Sequence, residues 1–199
     1  MEFIMITVKK LGLGLGFFLL FSATRAQALP GQSTDEVASW MQANSTVRPN
    51  RGEKFLVRKN DSAAQSFSFQ ASLLSPGRIK AIPNAGIIRS EVLSLFDVRN
   101  GVTMNRLQES LRVIYGSEVS QDYDRATVVY TYPTNKTIQH EVSDAKPQKS
   151  ALQGELRRGD LYAYWLEVAQ TPEGRANSGR LTVFLREDVD KLETELRNR

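Results

Sequence analysis

Four carboxylates, Glu91, Asp97, Glu155 and Glu167, lie in stretches of this 199-residue chain that hold the residue types needed for acid–base work. Glycoside hydrolysis would need two of them held about 5–9 Å apart across the scissile bond, and sequence spacing brings no such pair together. Asp122-Tyr123-Asp124 would put two carboxylates on one side of an extended segment. A Ca²⁺ ion takes about six or more oxygens, so solvated turn residues explain that pattern more simply. The single histidine, His140, sits beside Glu141 in a polar stretch offering neither a dry pocket nor a nucleophile, and reads as chemically idle. There is no cysteine, which excludes thiolate zinc sites, iron–sulfur ligation, thiol nucleophiles and disulfides. No phosphate-cradling glycine loop or nucleophile elbow follows residue 28. No metal and no cofactor are expected. A carboxylate-dependent hydrolase of cell-wall or extracellular glycan is the weaker of two readings.

Binding chemistry is better represented. Arg48, Arg51, Lys54, Arg58 and Lys59 against Glu53 give net +4 over twelve residues. On a strand over 53–59, Lys54 and Arg58 share one face while Phe55 and Val57 point the other way. Such a face suits an anionic glycan, wall polymer or lipid headgroup. A charged edge strand that resists aggregation accounts for the same residues. Tyr162 and Tyr164 share a strand face and are placed to line a groove for a sugar or peptide, with Trp165 on the opposite, core side. An ordinary sheet interior accounts for most of these aromatics. The candidate ligand- or partner-binding residues are therefore Arg51, Lys54, Arg58, Tyr162 and Tyr164. Arg158-Gly159-Asp160 matches an adhesion tripeptide and reads as a turn.

The elements that must position these residues follow from periodicity. Ser33 and Glu36 form a capping box ahead of Val37, Trp40 and Met41, so a short helix runs to about Asn44. Alternation predicts strands at 53–59, 65–74, 87–98 and 126–132, and a hairpin from 162–168 and 181–185. On 87–98, Ile88, Val92, Phe96 and Val98 share the apolar face. Thr103 caps a helix striped by Met104, Leu107, Leu111 and Ile114 and stopped by Gly116. A closing helix over 187–198 carries Val189, Leu192 and Leu196, with acidic residues in its first turn. Residues 133–150 are polar and read as a loop or linker. The expected class is α+β: an antiparallel sheet of five or six strands with two or three helices packed on one face, as a single domain over 29–199.

Residues 1–28 read as a signal peptide. Lys9 and Lys10 precede an apolar run from Leu11 to Ala23, and Ala26-Gln27-Ala28 supplies the small residues a signal peptidase accepts. The apolar run is short for a membrane span, so no transmembrane segment is expected after processing. Gly12, Gly14 and Gly16 lie inside this segment and are no nucleotide fingerprint, which needs a strand before it and a helix after. Removing 1–28 takes Lys9, Lys10, Arg25 and Glu2 and leaves 23 basic against 21 acidic residues, a net +2. That near-neutrality argues against nucleic acid as a partner.

Gly52-Glu53-Lys54-Phe55-Leu56-Val57-Arg58-Lys59 and Gly154-Glu155-Leu156-Arg157, continuing through Tyr162-Ala163-Tyr164-Trp165-Leu166-Glu167, resemble a family of exported cyanobacterial proteins of unassigned function. The resemblance implies periplasm or thylakoid lumen, with an extracellular destination as the alternative, and transfers no functional residue. Gly101-Val102-Thr103 through Tyr115-Gly116 is similar to the helix opening of small periplasmic assembly-factor domains. The expectation is an exported, soluble binding or accessory module of the cell envelope, whose partner is an envelope protein or an anionic glycan.

Overall fold

A computed structural model describes residues 29–78, 86–132, 151–170 and 175–199. Residues 1–28, read above as a signal peptide, and the polar segment 133–150 with His140 lie outside the described residues. Helix α1 (Thr34–Ala43) begins at a closed capping box: Ser33 Oγ accepts from the Glu36 amide at 3.3 Å, and Glu36 Oε2 accepts from the Ser33 amide at 2.9 Å. Strands β1 (Leu56–Ser62), β2 (Gln65–Ser72) and β3 (Ser90–Asp97) follow as a meander. Helix α2 (Met104–Arg125) leads into a second meander of β4 (Thr127–Tyr132), β5 (Ala151–Arg158), β6 (Ala163–Gln170) and β7 (Ala176–Phe184). A 3₁₀ turn (Arg186–Asp188) and α3 (Val189–Arg197) come last.

The strands form one seven-stranded sheet in the order β1-β2-β3-β7-β6-β5-β4, with every neighbouring pair antiparallel. Each half of the chain is a helix followed by a meander, and the last strands of the halves, β3 and β7, pair at the seam. The strand beyond the six expected is β5. Its alternation is hidden because Gly154 and the paired Arg157 and Arg158 interrupt the apolar positions Leu152 and Leu156.

The helices do not all lie on one face. Val37, Trp40 and Met41 of α1 and Leu107, Leu111, Tyr115 and Tyr123 of α2 bury the face formed by Val57, Phe69, Leu93, Leu166, Leu181 and Val183. On the opposite face, Val189, Leu192 and Leu196 of α3 cover Leu156, Ala163, Trp165 and Phe184. Strands β6 and β7 are apolar at successive positions near the end of the chain, so one layer of helix cannot satisfy them. A seventh strand and a second apolar face thus correct the expected architecture. Strand β3 differs as well: its core-facing side is Glu91, Leu93 and Leu95, whereas Val92 and Phe96 point the other way. A buried carboxyl at 91 breaks the apolar alternation and reverses the apparent face.

Gly116 stops the helix at its φ of 83°, but a second helical segment continues directly to Arg125. Asp122 and Asp124 are therefore helical, with Asp122 buried and Asp124 exposed, rather than side by side on an extended segment. Among the described residues no helix is long and apolar enough to cross a membrane.

Candidate functional site

Helix α3 covers β4 to β6 and the last residue of β7 on its face. Beyond it no described residue covers the sheet surface, and the strand register fixes what lines it. Arg58, Ser68, Ser94, Arg180, Glu167, Gly154 and Tyr132 stand side by side in one row across all seven strands. A neighbouring row carries Ser66, Phe96, Ser178, Ala169 and Leu152. Ser66, Ser68, Ser94, Ser178 and Gly154 are short beside the larger side chains of these rows, so the surface is hollowed rather than flat. One hollow of about 280 Å³ lies over Ser66, Ser68, Ser94, Phe96 and Arg180. A second, of about 260 Å³, lies between the 75–78 loop and Trp165 and Thr182. Arg180 borders both.

The wall of this trough is a tight polar group. Gly154 leaves room for the Tyr132 ring, because a Cβ there would fall 2.5 Å from the Tyr132 hydroxyl. That hydroxyl donates to Glu167 and accepts from Trp165 Nε1 at 2.8 Å. Burial, then the Glu167 carboxylate, holds the Tyr132 phenol well above its usual range. Arg199 closes the group with its guanidinium 2.7 Å from Glu167 and 5.1 Å from the centre of the Trp165 ring. Glu167 is thus neutralised by Arg199 rather than by Arg180, its partner across the strands. Arg180 is exposed, lies 5.7 Å from the Trp165 ring and forms no ion pair among the described residues. The 75–78 loop is held in place by α3: Lys191 donates to Pro76 O at 2.7 Å and Glu195 accepts from the Arg78 amide at 2.6 Å.

Of the five candidate binding residues, only Arg58 belongs to this surface. Lys54 precedes β1 and turns to the other side of the sheet, 3.5 Å from Asp35 of α1, while Arg51 stands exposed in the preceding turn. The basic cluster is therefore divided between two faces. Tyr164 is fully buried and donates to Asp122 at 2.6 Å, so it lines no open groove, and Tyr162 is half-buried against the same core.

The four carboxylates are not brought together. Glu167 alone is on the open face. Glu91 and Glu155 share the opposite face but are three strand spacings apart, about 14 Å or more. Asp97 accepts from the Arg99 and Asn100 amides and from Arg106 at 2.7 Å, which closes the turn into α2 and holds its pKa well below the carboxylate range. Glu155 is paired with Arg157 at 2.9 Å and accepts from Tyr123. Glu91 is fully buried, and its pKa is pushed up to about 8 by that burial. Neither Glu91 oxygen has a hydrogen-bond partner in good geometry among the described residues, and the nearby Tyr115 hydroxyl is the group that acts on it. Among the described residues no cluster of acidic or histidine side chains is placed to hold a metal ion.

Comparison of the chain with protein-family models, with curated proteins and with solved structures finds no match. What the geometry defines is an α+β protein with a seven-stranded antiparallel sheet and one partly uncovered, polar sheet face. Sequence reasoning missed Arg180, Arg199 and the serine row. The signal was present in Ser66, Ser68 and Ser94, since serine is a weak strand former where threonine is the ordinary solvent-facing choice.

Proposed function

We propose that the protein is an exported binding or accessory module of the cell envelope, without catalytic function, and that its partner docks on the uncovered sheet face. The observation that carries this reading is the unpaired Arg180 above a floor of serine hydroxyls, in line with Arg58, on a face whose other half is sealed by α3. The one carboxylate on that face is held by Arg199 and Tyr132, which leaves it poorly suited to act as a general acid and favours binding over hydrolysis. Export is the reading of residues 1–28, and the periplasm or thylakoid lumen is the compartment proposed from the sequence resemblance.

The test is purification of the native chain from the exported fraction, with mass spectrometry of the chain and of whatever accompanies it. The expected chain begins at Leu29 and carries a stoichiometric partner. The double reversal Arg58→Glu/Arg180→Glu should remove that partner with the thermal midpoint unchanged, while Arg51→Glu/Lys54→Glu, in the segment before β1, retains it. Equal recovery with both double variants would overturn the assignment of the face.

A further inference from the structure

Resting on that reading, the geometry points to an acidic oligosaccharide as the ligand of the open face, held with its carboxylate on Arg180. The two hollows meet at Arg180 and together follow the strands from Ser66 to Ser72, a run of roughly 20 Å at about 3.4 Å per residue. That length takes a short oligomer rather than a single small anion.

The chemistry changes along the trough in the way a sugar chain requires. At one end Phe96 and Leu152 are 38% and 40% exposed, side chains of the kind on which the apolar face of a sugar ring rests. In the rows of Phe96 and Arg180, the hydroxyls of Ser66, Ser68, Ser94 and Ser178 form no hydrogen bond among the described residues and are left for ligand hydroxyls. Beyond Arg180, Thr182 is 1% exposed and its hydroxyl has no partner among the described residues. It forms part of the floor of the second hollow, where Arg78 and Arg199 also stand. A buried polar atom left unpaired is costly, so this hydroxyl is an independent mark of a site that a polar guest completes.

The charge of the trough selects an acidic guest. Among the described residues that line the two hollows, Arg78, Arg180 and Arg199 face one carboxylate, Glu167, which Arg199 already neutralises, and Arg58 stands at the outer end of the same row. A peptide is disfavoured by the sheet itself. The trough floor lies in the middle of seven paired strands, so no free backbone edge is present to hydrogen-bond an added strand. A concave floor of short side chains also cannot meet a flat lipid surface.

The experiment is calorimetric titration of the chain from Leu29 with tetramers of galacturonate, mannuronate and guluronate, their methyl esters, and tetraglutamate. At least one uronate tetramer should bind. Its ester and the Arg180→Ala variant should each bind about tenfold or more weakly, as expected for loss of a charge-assisted contact. Arg51→Ala should bind as the unaltered chain does, and tetraglutamate should not bind. Equal binding of tetraglutamate would overturn the inference in favour of an acidic peptide. Unaffected binding by Arg180→Ala would overturn it as well. If no uronate binds but Arg58→Glu/Arg180→Glu still removes the native partner, the saccharide inference falls and the assignment of the face stands. Loss of both results removes both.

Discussion

Glu91 is a fully buried carboxyl on the core-facing side of β3. Its folded pKa of about 8 lies above the value near 4.5 of an exposed glutamate, so the folded state binds a proton that the unfolded state releases. Its contribution is fully present below about pH 4.5 and is lost as pH rises toward 8, with a slope of at most about 1.4 kcal/mol per pH unit. Urea denaturation from pH 5 to 8 should therefore show stability falling, and Glu91→Gln should flatten that slope. Parallel profiles for the two chains would mean that Glu91 is already ionised in the fold. Asp97 acts in the opposite direction. Its lowered pKa gives stability that is present above about pH 4 and lost on further acidification. Asp122 is a third buried carboxylate with a mechanical task. It accepts from the amides of Asp160, Leu161 and Tyr162 and from Tyr164, tying the β5–β6 turn to α2. Asp122→Ala should cost about 3 kcal/mol, since four donors lose their acceptor together. A cost under about 1 kcal/mol in chemical denaturation would show that the turn holds without it. The adhesion-like tripeptide Arg158-Gly159-Asp160 is accounted for here. Gly159 is required because a Cβ would fall 2.2 Å from Asp122.

At the scale of elements, α3 decides which part of the sheet is core and which is surface. Its stripe was legible in the sequence; its location was not, because a helix stripe shows that a face is buried without showing against what. Leu192 is fully buried against the second cluster. Leu192→Ala should lower stability by about 3 kcal/mol and shift Trp165 emission to the red, while Trp40, on the other side of the sheet, keeps its environment. Unchanged fluorescence would place α3 elsewhere. Gly154→Ala tests the same wall from β5: displacement of Tyr132 should uncouple it from Glu167 and loosen Arg199, visible as faster exchange of the Trp165 indole proton. The basic 48–59 segment shows the limit of a strand-period argument. Lys54 lies before β1 begins at Leu56, and one residue of difference in where the pleat starts sends a side chain to the other face.

For the whole molecule, the order β1-β2-β3-β7-β6-β5-β4 puts the seam of the two halves in the middle of the sheet and leaves β1 and β4 as edges. Strand β6 is buried over six successive residues, Ala163 to Val168, whereas β1 is exposed from Arg58 onward. Hydrogen exchange followed by mass spectrometry should accordingly find β3, β6 and β7 slowest and β1 fastest among the strands. Protection of β1 equal to that of β6 would mean that its outer edge is covered by another chain.

Local physics made much of this protein readable in advance. The Ser33–Glu36 capping box, the Thr103 cap, the glycine stop at 116 and the two-residue period of β2, β6 and β7 depend on groups a few residues apart, and each is present where the sequence puts it. Pairing of β3 with β7, the second core under α3 and the division of the basic residues between two faces depend on contacts between separate elements of the chain. Periodicity carries no term for such contacts. They are selected by which arrangement buries the apolar positions of both halves at once, and the open face with Arg58 and Arg180 is what that selection leaves uncovered.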